Sequence, residues 1–264
     1  VLIGFAVVEM ALHHPVRLAV QTSLLDNLSS GRLIMGTGRG SAYNEYEYIG
    51  FGTTLEQGRE MLDEAEDLLI KAWTGKDVVH KGRFWDLSFP GLRPQPYQKP
   101  HPPLARAFTG DDSLVEMAKI GRPVLIRGNS CNGTGKKIEL YRDTMSAAGF
   151  SDQAVQENLD QLWVWREMHI SETDDEAFED FLPAHHSAYS YLEDVRAEWN
   201  PPEMEISIQR APLSKDGYAR TPAPDVSESM VGGYRRVTEQ VATPQDVGVR
   251  NLMLTLRGLV FPHK

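Results

Sequence analysis

Only one cysteine, Cys131, is found in 264 residues. That excludes an internal disulfide framework and any cysteine-rich metal site, and it fits a reducing compartment. Cations are also scarce. The 27 Lys and Arg against 37 Asp and Glu leave a formal net charge of −10, the wrong sign for a chain whose partner is nucleic acid or an anionic membrane surface. Any anion must therefore be held by a local site. Long apolar runs are missing too: the longest near the start, residues 1–8, has eight residues, where a membrane span needs roughly 18 or more. Without a basic n-region or a small-residue cleavage site, the expected location is the cytoplasm.

Several catalytic signatures are absent. No Gly-Lys-Ser or Gly-Lys-Thr occurs, since Lys76, Lys136 and Lys137, the nearest lysines after a glycine, lack a following hydroxyl residue. No serine sits in a G-x-S-x-G elbow, so nucleophilic hydrolysis has no support. The pairs His13-His14 and His185-His186 are sequence neighbours, which point apart on a strand, and no H-E-x-x-H accompanies them. No metal site is expected.

What is present begins with residues 31–52, GRLIMGTGRGSAYNEYEYIGFG. The apolar run Leu33 to Met35 breaks into Gly36, Gly38 and Gly40 with Arg39 among them, a buried strand opening into a tight, positively charged turn. Glycine lets backbone N–H groups approach a ligand closely, and a guanidinium offers two parallel donors to phosphate oxygens. Two readings stand side by side: a phosphate-binding turn, or a glycine-rich turn with a surface arginine. The dinucleotide fingerprint does not fit, because the third glycine falls one place early and Ser41 to Tyr48 shows no helical stripe.

Along the chain, residues 1–8 read as a strand and Pro15 as the first residue of a helix whose apolar face is Val16, Ala19, Val20, Leu24 and Leu28. Thr53 and Thr54 stand three residues before Glu56 and Gln57, capping a helix with the stripe Leu62, Ala65, Leu69, Ala72 and Trp73. Lys76 to Pro103 is a long Pro-rich connection carrying Phe84, Trp85, Phe89 and Tyr97, read as an ordered lid or substrate wall, with plain packing as its rival. A strand at Leu104 to Phe108 leads through Thr109-Gly110-Asp111-Asp112-Ser113 into a helix. Its first-turn N–H groups could face a phosphate or simply be capped by Asp111, Asp112 or Ser113. Further strands are expected at Pro123 to Ile126, Leu162 to Ile170 (with Trp163 and Trp165 as core) and Asn251 to Leu256. Residues 183–233 read as an irregular insertion with only Ile206 and Ile208 suggesting order. The expectation is six parallel strands in a single α/β domain spanning 1–264.

The run GFAVVEMALHHPVRLAVQTSLLDNLSSGRLIMGTGRG, then EYEYIGFG, the helix with Arg59 and Glu60, QKPHPP and PVLI closely resemble the luciferase-like flavin monooxygenases. ATPQDV and GVRNLMLTLRG look like that family's closing segment. The resemblance implies a TIM barrel, here incomplete because the match starts at the family's third strand and Val1 is not an initiator methionine. Two βα units would then lie upstream. It further implies reduced FMN as cofactor, with the deazaflavin coenzyme as alternative, and O2 and a small organic molecule as substrates. A flavin reductase is the implied partner, and a homodimer or heterodimer is allowed. A flavin-binding protein without turnover is the reading from a different class. Residue by residue, Arg39 matches the phosphate-binding arginine, Gly38 and Gly40 its turn, Thr109, Gly110 and Ser113 a second phosphate-binding turn, and Phe5 and Ala6 the strand against the flavin ring. The family's usual catalytic histidine has no counterpart here, so no catalytic residue is assigned. Glu9 and Ala11 replace an apolar residue and a proline, and between Thr243-Pro244 and Gly248 there is room for barely one helical turn.

Overall fold

The computed structural model describes residues 2–41, 44–108, 110–127, 131–202, 230–246 and 248–255. They divide into two compact units, one of residues 1–109 and 122–125, the other of residues 110–121 and 126–264.

The first unit opens with strand β1 (Ile3–Glu9), a 3-10 turn at Met10–Leu12, helix α1 (Pro15–Leu28) and strand β2 (Leu33–Gly38). β1 and β2 pair in parallel, with Ile3 opposite Leu33. β2 is buried along its whole length, as a strand covered on both faces should be. The buried face of α1 is the expected apolar one only in its first half: Ala19 is buried and Val16 and Val20 pack against the core, but Leu24 and Leu28 are exposed, and Leu18, Thr22, Ser23 and Asp26 are buried instead. Hydrogen bonds bury that face. The Trp73 indole N–H donates to Thr22 at 3.2 Å, and Gln98 donates to both Asp26 oxygens at 2.9 and 2.8 Å.

Helix α2 (Glu45–Gly50) occupies the stretch that shows no apolar stripe; six residues are too few to display one. Its Tyr48 is fully buried and lies over Gly58 of helix α3 (Leu55–Thr74). Thr54 caps α3 by accepting from the Gln57 N–H at 3.2 Å, and the expected stripe Leu62, Ala65, Leu69, Ala72 and Trp73 is buried. These side chains join Leu33 and Met35 of β2 in the main core.

The connection after Gly75 is not a lid. It folds first into an antiparallel hairpin of β3 (Val78–Lys81) and β4 (Asp86–Phe89), whose turn is held by Glu64, the acceptor for the N–H groups of Arg83, Phe84 and Trp85 at 2.9, 3.0 and 2.9 Å. The remainder then straps the start of β2. Gln98 donates to the Leu33 carbonyl at 2.8 Å, Asn27 donates to the Gln95 carbonyl at 2.8 Å, and the Tyr97 ring lies against Gly31. A helix-to-strand connection must run to the N-terminal ends of parallel strands, the end opposite Gly38, and in barrel folds that face serves stability. β5 (Leu104–Ala107) pairs with β2, and the first two residues of β6 (Val124–Arg127) pair with β5, giving the parallel order β1-β2-β5-β6.

In the second unit come α4 (Asp111–Lys119), α5 (Cys131–Ala147), α6 (Asp152–Asp160), β7 (Trp163–Ser171), α7 (Asp174–Trp199), β8 (Met230–Gly233), α8 (Tyr234–Asp246) and β9 (Asn251–Thr255). β7 runs parallel to β9 over Trp163–Glu167 and to β8 over Met168–Ser171, so β9 does not follow β8 as in a regular barrel succession. Thr173 caps α7, accepting from the Glu176 N–H at 3.2 Å. Trp163 and Trp165 are half-buried rather than core, and the Arg127 guanidinium lies 5.3 Å over the Trp165 ring.

Three further expectations need correction. The parallel strands number seven among the described residues, not six, because β8 is only four residues long and its Met-Val-Gly-Gly sequence carries a weak strand signal. Residues 183–199 are not irregular. Pro183 sits inside α7, on the exposed side, while Phe181, Ala184 and His185 face inward. Residues 203–229, including Ile206 and Ile208, lie outside the described residues, as does Leu256. Finally, the last connection is a full helix, since α8 starts at Tyr234, well before Thr243.

Candidate functional site

In the first unit the C-terminal ends of β1 and β2 lie side by side, with Glu9 opposite Gly38. The register slips between Phe5 and Val8, so that Ala6 and Val7 together oppose Gly36. Such bulges bend a strand and re-aim its side chains. The Ala6–Val7 peptide is cis. Phe5 is half-buried and Ala6 exposed.

Each glycine of the turn has its own physical reason. A Cβ at Gly36 would drive into the Phe5 carbonyl oxygen, and one at Gly38 would lie 2.8 Å from Val7 Cγ2. Gly40 has φ +105°, which side chains rarely adopt, and its Cα faces the Glu9 carboxyl and the Tyr48 hydroxyl at 2.9 Å from a built Cβ. The Tyr48 hydroxyl donates to the Arg39 carbonyl. Arg39 itself is half-buried, and its guanidinium makes no hydrogen bond or ion pair among the described residues.

Carboxyl groups crowd the same turn. Glu47 accepts from Asn44 Nδ2 at 2.9 Å and from the Tyr46 hydroxyl at 3.1 Å. Burial pushes the Glu9 carboxyl up from its ordinary pKa, the Glu47 carboxylate adds to this, and the Ser41 N–H opposes it. At a given pH this lessens the negative charge beside Arg39. Burial, with the Glu9 charge next, pushes the Tyr48 hydroxyl up to about 12, so it remains a donor to Arg39. Sequence reasoning marked Glu9 only as a departure. Tyr48 and Glu47 carried no usable signal, since only the fold brings them to Gly40.

In the second unit, Gly110 is the N-cap of α4 with no side-chain cap, which removes the expected capping by Asp111, Asp112 or Ser113. Gly110 is exposed, with open space where a Cβ would stand, and Ser113 is half-buried in the first turn. Thr109 lies outside the described residues. Within the first unit, the glycine turn and an Arg39 guanidinium with no hydrogen bond or ion pair among the described residues suit a phosphate; within the second, the N–H groups at the start of α4 suit an anion as well. Among the described residues no helix is long and apolar enough to cross a membrane.

The sequence profile of the luciferase-like monooxygenases matches residues 1–251. The chain belongs to that family. It is 28% identical over 213 residues to the Sinorhizobium fredii protein y4wF, covering 79% of this chain and 60% of that one. With the oxygenase component of the flavin-dependent trigonelline monooxygenase of Acinetobacter baylyi it shares 34% identity over 102 residues, 39% of this chain and 28% of the relative. The chain thus spans less than two thirds of the length of either relative. Among solved structures, the monooxygenase RslO1 of Streptomyces bottropensis superposes with a TM-score of 0.74 at 24% identity, covering 97% of this chain and 70% of that one. The coenzyme F420-dependent tetrahydromethanopterin reductase of Methanopyrus kandleri gives 0.67 at 16% identity, covering 98% and 78%. Both superpositions establish the luciferase-like fold.

Proposed function

We propose that this chain is a flavin-dependent monooxygenase that uses reduced FMN and O2 to oxidise a small organic substrate. The observation that carries this reading is the half-buried Arg39 guanidinium, without a hydrogen bond or ion pair among the described residues, in the glycine turn at the C-terminal end of β2, where barrel enzymes build their sites. Similarity to a flavin-dependent oxygenase component supports it. Reduced FMN supplies two electrons, so that one oxygen atom enters the substrate and the other leaves as water. The chain's own part is binding and orientation. Arg39 and the Gly38 and Gly40 N–H groups hold the phosphate, with Thr109, Gly110 and Ser113 as a second anchor, while the Phe5–Ala6 backbone lies along the ring. We further propose that residues 1–264 form one luciferase-like domain, an incomplete TIM barrel, working in the cytoplasm beside a flavin reductase.

Likeness to a deazaflavin enzyme keeps that coenzyme as the second reading. Oxygen uptake with NADH, FMN and a flavin reductase separates the two. Substrate-dependent product with reduced FMN is expected. Turnover only with reduced deazaflavin selects the second reading, and flavin binding without turnover of either leaves a carrier.

A further inference from the structure

On the face of β2 opposite Gly36 and Gly38 lies a buried polar network that holding a flavin does not itself require. Leu33 and Met35 on that face pack into the apolar core, but the next residue on it, fully buried Thr37, is polar. Its hydroxyl donates to Glu66 of α3. Glu66 is also fully buried. Arg106 Nε donates to its two oxygens at 3.0 and 3.0 Å, Arg106 Nη2 donates at 2.5 Å, and Arg122 Nη1 donates as well. Arg106 Nη1 reaches Asp63 at 2.6 Å, and Arg106 is the direct register partner of Thr37. One carboxylate therefore gathers β2, β5 and the approach to β6 onto α3.

Valine would fill the Thr37 position with nearly the same volume, so the hydroxyl is there for Glu66. Ion networks of this kind contribute little net stability over apolar packing; their best-attested use is to fix one arrangement. The arrangement at stake is adjacent, because Gly38 and Arg39 follow Thr37 directly.

We propose that Glu66 is a positioning residue for the glycine turn: acting through Thr37, it sets the direction in which Gly38 and Arg39 leave β2 and so presents them to a phosphate. The inference rests on the FMN reading for its ligand, but not for its effect on the turn. Thr37→Val removes the hydroxyl while both arginines still satisfy Glu66. In the full chain, Thr37→Val should raise the FMN dissociation constant roughly tenfold and that of riboflavin by less than about twofold, and Thr37→Ser should restore both. Without ligand, amide exchange at Gly38, Arg39 and Gly40 should be faster in Thr37→Val than in wild type. If Thr37→Val does not fold, Thr37→Ala, which overpacks nothing, takes its place. Unchanged FMN affinity and unchanged exchange overturn the proposal, as does an equal loss of FMN and riboflavin binding. A wild type that binds FMN no better than riboflavin sinks the FMN reading instead. The exchange rates alone then judge the positioning role, and unchanged rates reject it.

Discussion

Arg39 is the residue on which the proposed choice of ligand turns. Replacing it by alanine removes charge-assisted hydrogen bonds of roughly 1.5–3 kcal/mol, about ten- to a hundredfold in FMN affinity, while riboflavin should hardly notice; equal FMN affinities in a fluorescence titration would remove Arg39 from the site. Gly36 was legible as a glycine but not for its reason. Gly36→Ala must displace the Phe5 carbonyl, and urea unfolding should register a loss of about 1–3 kcal/mol, the range for overpacking. Glu9 carries the pH dependence. Its folded pKa lies above its ordinary 4.5, so its contribution is fully present below that value and is lost as pH rises through the folded one. Glu9→Gln, always neutral, should therefore be more stable than wild type at pH 8, with the gap closing towards pH 5. A constant gap across that range would show that Glu9 does not titrate abnormally.

At the scale of elements, the strap over β2 is the sharpest test of which end does what. Gln98→Ala removes two donors from the buried Asp26 and Leu33 acceptors and should cost about 1–3 kcal/mol of stability, with FMN affinity unchanged because the strap lies at the end of β2 away from Arg39. A loss of FMN affinity matching the loss of stability would restore the lid. Legibility here followed the nature of the buried surface. Helix α3 could be read because its stripe from Leu62 to Trp73 is apolar and its cap is local. The buried face of α1 could not, because Thr22 and Asp26 are buried by bonds to residues 51 and 72 positions away. The hairpin β3–β4 was hidden for the same reason: its turn is organised by Glu64, on another element.

For the molecule as a whole, family and fold class were legible from continuous motifs, and so was the acidic start of α7 behind its Thr173 cap; the rest of α7 was not, because Pro183 reads as a helix breaker, nor was β8, whose Met-Val-Gly-Gly is weakly apolar. The described strands leave β1 paired on one side only, with β2, and its Leu2 and Ile3 end is exposed (53% and 40%). An open strand edge with apolar side chains invites pairing between chains. In a chain of residues 1–264 alone, Ile3→Lys should therefore reduce self-association in sedimentation velocity at high protein concentration without altering the monomer's circular dichroism. If wild type and variant sediment alike, that edge is not what drives association.

The hairpin offers something practical. Val79 projects from it with 67% exposure, on a connection that serves the N-terminal ends of the strands, so a tether attached there leaves the glycine turn unobstructed. A chain fixed to an electrode or bead through residue 79 would carry its tether at the end of the strands opposite the glycine turn, in an oriented layer suited to testing for flavin capture.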